Sequence, residues 1–350
     1  MDLLGNPVWR QFWYPVCFAD EISAGPVART LLGVPVVVWP GGPHEVAAAV
    51  DRCPHRDAAL SRGWVCGERI VCGYHGWQYE PDGTVAHIPQ IPDMRRFPAR
   101  FSLASLPARI AHGAVWVCLD ETTPQPLPDL PDATRPGWRF VREFDEEWAT
   151  HPARLMENSL DPAHVAFVHK NSFGDPGLAE IGVPDVERTD YGLIMRLNVD
   201  VKNPDIAWAA TGSREKSTTR ITTTRFFAPF LRSSEFAYAN GTVHTIITAA
   251  TPVDDSHLRL VQWAVRNDSE QDAPAVSVVA FDRQVTVEDR LVLEGMRVPY
   301  NHSIDGNSHI KVDRATVAIR RIYGDILDGT WPGLAGRVVD SGRSTPVSMV

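Results

Sequence analysis

The sequence predicts an α+β protein of two units joined by a proline-rich break, and three observations lead there. Up to about Asp120, short β-branched and aromatic runs alternate with turn residues. Val36-Val37-Val38-Trp39 stops at Pro40-Gly41-Gly42, and Trp77-Gln78-Tyr79 precedes Pro81-Asp82-Gly83, which are strand and hairpin signals. Between Thr122 and Trp138 five prolines fall and no hydrophobic period survives. Beyond that break come longer runs with strand character, Gly192 to Val201, Thr219 to Phe230, Gly241 to Thr251 and His257 to Val265. Helical stretches around Arg154 to His169 and Ala275 to Met296 flank them. That order suits an antiparallel sheet covered by helices on one side. The expected division is an all-β unit over residues 1–120, a surface linker over 121–138 and a second domain over 139–350.

With 350 residues, 44% of them hydrophobic, the chain can fill more than one core. A formal charge of −9 and the lack of any Lys/Arg cluster exclude a nucleic-acid or anionic-membrane surface. The apolar runs Val36 to Trp39 and Ala275 to Phe281 are too short to span a bilayer. A soluble, cytoplasmic protein is expected. There is no internal repeat and no low-complexity tract.

Chemistry concentrates first in Cys53-Pro54-His55, separated by sixteen residues from Cys72-Gly73-Tyr74-His75. Two short loops that each present one Cys and one His are what a 2Fe-2S cluster with mixed ligation requires, two thiolates on one iron and two imidazoles on the other. A structural zinc site with Cys₂His₂ ligation uses the same residue types. The C-x-H and C-x-x-H spacings favour the cluster. So do the flanks, Arg56, Ala59, Leu60, Ser61 and Gly63 after the first loop and Gly76-Trp77 after the second. Together they closely resemble the Rieske family. Respiratory-chain Rieske proteins add a disulfide between the two loops, but neither loop here has a further Cys. The resemblance therefore implies the lower-potential, oxygenase or ferredoxin type, within a range of about −150 to +300 mV. Cys17, Cys66 and Cys118 have no pairing logic and read as reduced thiols.

A second constellation runs from Glu157 to His169 and contains Asn158, Asp161, His164 and His169. Five residues of regular α-helix turn about 140°, so His164 and His169 converge on one metal only if the helix widens or ends near Val165 to Val168. Taken alone, both could be ordinary histidines. Asp161-Pro162 could be a helix N-cap followed by proline at the first helical position. A further acidic segment, Glu288-Asp289, lies in the later helix. On a helical wheel Phe281, Val285, Val292 and Met296 share a stripe with Glu288 and Asp289 on its flanks, so periodicity does not separate the two acids.

The pattern N-x-x-D-x-x-H-x-x-x-x-H, following a Rieske motif, resembles the signature of the Rieske non-haem iron oxygenases, and the likeness covers essentially the whole chain. It implies a C-terminal helix-grip (START-like) catalytic domain. There His164, His169 and a carboxylate would hold a mononuclear Fe(II) as a 2-His-1-carboxylate triad, leaving positions for O₂ and water. Family precedent selects Asp289 as the carboxylate, with Glu288 and Asp282 as alternatives. Asp161 would link the cluster of one protomer to His164 of its neighbour in a homotrimer, with Asn158 close to the iron.

The resemblance lies with the α-subunit-only monooxygenases that hydroxylate C–H bonds or remove O- and N-methyl groups. Ile88 to Met94 and Asp313 to Arg321 resemble segments of cyanobacterial hydroxylases that tailor saxitoxin-like alkaloids. C–H hydroxylation of a small organic substrate is the leading expectation. O- or N-demethylation is the alternative, and an electron carrier with a non-catalytic ligand-binding domain is a reading from another class. Electrons from NAD(P)H would come through a separate reductase, with or without a ferredoxin. The chain has no Gly-rich dinucleotide fingerprint, and Gly41-Gly42 is only a turn. Candidate pocket residues are Met156, Phe167, Phe173, Trp208, Phe226, Phe227 and Met296, with Trp208 foremost.

Overall fold

The computed structural model describes residues 1–334 apart from 43–44, 121, 123–124 and 132, with no side-chain description at 209–210. Four positions of the expected linker and the last stretch of the expected second domain, 335–350, thus lie outside the described residues.

The first unit contains two four-stranded antiparallel sheets. One pairs Val27–Leu31, Val34–Gly42, Glu45–Val50 and Ser105–Leu106, and the other Trp64–Cys66, Arg69–Val71, Gln78–Tyr79 and Val85–His87. Val37, Trp39, Ala47 and Ala49 of the first sheet share a core with Ile70 and Tyr79 of the second and with Cys72 just beyond its Arg69–Val71 strand. The hairpin predicted at Pro81-Asp82-Gly83 is present, Gly83 turning the chain with φ +85°. Pro40-Gly41-Gly42 does not end its strand as expected. The pairing continues to Gly42 through a shift of register between Pro40 and Gly42.

The second unit is a seven-stranded antiparallel sheet. Its order is Arg139–Trp148, Leu258–Arg266, Val243–Pro252, Leu231–Ala237, Ser217–Phe227, Gly192–Lys202 and Asp185–Arg188. The strand expected from Thr219 to Phe230 runs from Ser217 to Phe227 and then turns back into Leu231–Ala237, with Phe227 opposite Leu231. The Arg139–Trp148 strand escaped the sequence reading because a register shift between Arg142 and Phe144 breaks its alternation.

Each face of this sheet is covered. On one side a three-stranded sheet, Tyr14–Phe18, Ala114–Val117 and Ala108–Ala111, brings Phe18 and Trp116 against Phe227, Ile247, Val261 and Trp263. The rings of Trp116 and Trp263 meet edge to face at 6.5 Å. On the other side lie the helices Ala275–Glu294 and Arg314–Leu327. Ala315, Ile319, Ile322, Tyr323 and Ile326 of the latter are buried with Trp9, Phe226 and Phe230. The buried face of Ala275–Glu294 is Val278, Phe281, Asp282, Thr286 and Leu293. That corrects the predicted stripe, for Val292 and Met296 are 42% and 44% exposed.

The long helix starts after Pro274 and is capped by Gly295. The shorter helix Pro152–Ser159 carries proline at its first position, and His151 Nδ1 accepts from the Ala153 N–H. Among the described residues no helix is long and apolar enough to cross a membrane, and the cysteines form no disulfide.

Candidate metal centres

The first pair of loops is closed by backbone hydrogen bonds that straddle the cysteines. Cys53 N–H donates to Ala58 O at 2.8 Å and Cys53 O accepts from Asp57 N–H at 2.9 Å, while Cys72 N–H donates to Trp77 O at 2.9 Å and Cys72 O accepts from Gly76 N–H at 3.0 Å. The loops press together where no side chain fits: a Cβ on Gly63 would lie 1.8 Å from Val71 O, and one on Gly73 2.8 Å from Arg62 O. Both cysteines are buried. The His55 and His75 rings meet with centroids 4.5 Å apart, and His55 stacks on Trp77 at 4.5 Å. Tyr79 Oη lies 3.1 Å from Cys53 Sγ. Burial lowers the His55 pKa, with His75 and Arg56 adding to the shift, so its imidazole is neutral at neutral pH. Its Nδ1 is buried without a hydrogen-bond partner. Two buried thiols and a neutral imidazole with an unused ring nitrogen fit the 2Fe-2S ligation that the spacing implied.

The second constellation assembles at a break in the helix. Pro152–Ser159 ends at Leu160, and one helical turn, Val165–Val168, follows with His164 at its N-cap and His169 at its C-cap. The irregularity expected near Val165 to Val168 is present, as a single turn bounded by His164 and His169 in place of a continuous helix. His164 Nε2 and His169 Nε2 approach to 3.2 Å, and Asp289 Oδ1 lies 3.5 Å from the first and 3.4 Å from the second. Ligand atoms bound at about 2.1 Å to one metal lie roughly 3.0–3.4 Å apart for angles of 90–109°, so the triangle fits a single ion. Asn158 Nδ2 donates to the same Asp289 oxygen at 3.0 Å.

The two alternative acids are elsewhere. Glu288 Oε2 sits 2.9 Å from His169 Nδ1 and accepts from Ser172 Oγ at 2.7 Å. It faces the opposite ring nitrogen from Asp289 and leaves His169 Nε2 free of a proton. Asp282 Oδ2 lies 3.4 Å from His244 Nε2, in a separate cluster with Glu143. There Arg266 donates to His244 Nδ1, which puts the His244 proton on Nε2, toward Asp282. Asp161 does not cap the helical turn as its Asp-Pro sequence suggested. Its Oδ1 accepts from Ala163 N–H at 2.8 Å, and its Oδ2 is 3.9 Å from His164 Nδ1, a buried atom with no hydrogen-bond partner.

Burial pushes the His164 and His169 pKa values down to about 4, helped at His164 by His169 and at His169 by Arg220. Asp289 is pushed up to about 7 by burial; Arg232 opposes that shift and Glu288 adds to it. Neutral imidazoles at neutral pH and a carboxylate that ionises near pH 7 form a donor set ready for a divalent cation.

This triangle lies on the wall of a partly open cavity of about 150 Å³ between the sheet and the long helix. Alternate residues of the strands line it, Met195, Leu197, Val199 and Val201 on one, Arg220, Thr222 and Thr224 on the next. Of the seven predicted pocket residues only Phe173 borders it. Met156, Phe226 and Phe227 are core, Phe167 and Met296 are exposed, and Trp208 borders a different depression with Asn240 and Asp268. Sequence reasoning missed Arg220, Arg232, His244 and Gln262, all of which line the cavity. The period-2 alternation of the strands was the available signal for them.

The Rieske 2Fe-2S domain family matches residues 12–98, and the vanillate O-demethylase oxygenase C-terminal domain family matches residues 148–328. The chain is 31% identical to the methylxanthine N3-demethylase NdmB of Pseudomonas putida over 81% of each chain. To the oxygenase component of the chloroacetanilide N-alkylformylase of Rhizorhabdus wittichii it is 26% identical, over 88% of this chain and 92% of that one. Among solved structures, NdmA of Pseudomonas putida with caffeine superimposes with a TM-score of 0.78 at 26% identity, covering 96% of this chain and 98% of that one.

Proposed function

This chain belongs to the Rieske non-haem iron oxygenases, as the oxygenase component that uses O₂ and electrons from a separate reductase, and we propose that it removes a methyl group from nitrogen or oxygen of a small organic substrate. Cys53, His55, Cys72 and His75 hold the 2Fe-2S cluster; His164, His169 and Asp289 hold the mononuclear iron. The observation that carries the reading is the meeting of His164 Nε2, His169 Nε2 and Asp289 Oδ1 at 3.2–3.5 Å on a cavity wall. Its relatives include demethylases acting on nitrogen and on oxygen.

The bound groups supply single electrons and O₂ activation; the chain supplies position and exclusion of water. Glu288, itself held by Ser172, fixes the ring and tautomer of His169. Asn158 orients the Asp289 carboxylate. Leu155, Val165, Phe173, Phe281 and Val285 make the surroundings apolar, which keeps reactive species from bulk water. The balanced reaction converts a methylated heteroatom, O₂, two electrons and two protons into the demethylated heteroatom, formaldehyde and water. Stable C–H hydroxylation shares the first step and differs only in that the new carbinol carbon carries no heteroatom to leave.

Asp161 is proposed to connect His164 to the cluster of a neighbouring copy in a ring-shaped homotrimer. In support, it stands beside His164 Nδ1, an atom with no hydrogen-bond partner among the described residues. At the other site, His75 is next to Tyr74, which is 63% exposed. The units 1–120 and 139–350, joined through 121–138, are retained as the proposed domains. Their family matches fall on either side of the break. Operation in the cytoplasm, where cysteines stay reduced, completes the reading.

Incubation with a reductase, NADH and a panel of N- and O-methylated ring compounds tests the proposal. Formaldehyde equal to substrate consumed supports demethylation. Hydroxylated product without formaldehyde assigns stable hydroxylation instead.

A further inference from the structure

We infer that the cavity takes a carboxylic acid of single-ring size and that Arg220 is the residue that holds its carboxylate. The inference rests on the demethylase reading for what happens next, but not for binding. Arg220 comes from the Ser217–Phe227 strand, lines the cavity and is 8% exposed. Its guanidinium lies 4.1 Å from the Phe173 ring centre and 5.4 Å from that of Phe236. Phe173 in turn stacks on His169 at 4.9 Å. Two aromatic rings thus fix the guanidinium one ring away from the proposed iron ligands. Arg220 Nε is buried without a hydrogen-bond partner, and among the described residues no carboxylate forms an ion pair with Arg220.

The other charges near the cavity are answered within the protein. Arg232 Nε, like that of Arg220, is buried without a hydrogen-bond partner, but Arg232 differs in lying in the field of three carboxylates, Asp289, Glu143 and Asp282. Arg266 is paired with Asp268. Asp282 faces His244. A buried guanidinium with no counter-charge is unfavourable, and ring faces compensate it only in part. An oxyanion supplied by the ligand completes the set, and a planar carboxylate matches the fork of guanidinium N–H groups. Size narrows the ligand: a cavity of about 150 Å³ is the volume in which an engineered apolar site holds one benzene. The body of the acid is therefore one ring or its aliphatic equivalent, against Leu197, Val199, Ile246 and Phe281.

Calorimetric titration of the oxidised holoenzyme, without reductase, tests this with benzoate and phenylacetate against benzamide and phenylacetamide. Each amide keeps the shape of its acid and removes the charge. The expected result is at least tenfold tighter binding of one acid than of its amide. In Arg220→Gln that preference is lost, with amide affinity unchanged; in Arg220→Lys it is partly kept. Equal affinity for acid and amide in the unaltered protein, no binding of either acid, or undiminished acid preference in Arg220→Gln would each overturn it. If Arg220→Gln loses iron or folds poorly, Arg220→Lys and the acid/amide comparison in the unaltered protein decide. Failure here is separable from failure of the demethylase reading. Acid binding with no formaldehyde from any methylated compound overturns the latter alone, and formaldehyde from neutral compounds without acid preference overturns the former alone.

Discussion

The two candidate metal centres are built in opposite ways. The cluster loops are local: four ligand-type residues lie on two short turns, each closed by its own backbone hydrogen bonds, and glycines let the turns touch. The cavity site is tertiary. Its histidines flank one helical turn, while its carboxylate comes from a helix more than a hundred residues later, steadied by Asn158. A local site depends on backbone shape. A tertiary site depends on burial and on the groups that orient the ligands.

The sharpest way to break the contrast is Gly63→Ala, whose Cβ would meet Val71 O at 1.8 Å. Sulfide and cluster absorbance should disappear with turnover, even though no ligand is changed. A normal visible spectrum would show that the loops are not backbone-limited. Next in size, His164→Ala should lower iron from about three to about two per chain, with the low-temperature EPR signal of the reduced cluster intact. Loss of both centres together would mean that the sites are not independent.

Asp161→Asn should leave both centres loaded and reduce turnover by about 100-fold, at the upper end for groups that support a ligand. Iron and sulfide analysis beside steady-state rates reads this directly, and unchanged turnover would return Asp161 to its local turn with Ala163. Glu288→Gln should weaken iron binding by about tenfold, because an amide holds the His169 tautomer less firmly than a carboxylate; a competitive chelator titration measures it.

The smallest effect is in pH. Asp289 is raised to about 7, so below that pH a proton must leave as the metal binds. The histidines stay neutral until about pH 4. Affinity of the iron-free cavity site should therefore be full above pH 7 and fall about tenfold per unit between pH 7 and 4. Below that it should fall more steeply. Co(II) titrations at pH 8, 6 and 5 test the slope, and a flat profile would mean that Asp289 does not join the metal.

What was readable in the sequence follows the same division. Cys53, His55, Cys72 and His75 announce themselves by spacing, since the chemistry and the local backbone coincide. His164 and His169 required the resemblance, because helical periodicity alone sets their side chains apart. They converge where the one helical turn between them ends at His169, and the earlier break at Leu160 coincides with Asp161-Pro162. Asp289 and Glu288 were inseparable on a helical wheel, and only packing against Asn158 on one side and Ser172 on the other assigns them to different ring nitrogens. The cavity was least legible. Arg220 shares a strand face with Thr222 and Thr224, but nothing in the strand itself says that this face is walled by a helix rather than by water. Large apolar residues such as Met156 and Phe226 drew attention and proved to be ordinary core.

The seam where Trp116 meets Trp263 bears on how such proteins can be recombined. The strands that bracket the cluster-bearing unit, Tyr14–Phe18 and Ala114–Val117, form the backing of the catalytic sheet. Grafting a foreign cluster unit at the proline-rich break would strip that backing and expose Phe227, Ile247 and Val261. Shuffling that respects this chain would exchange only the segment between Phe18 and Ala108, keeping both flanking strands with the sheet they cover.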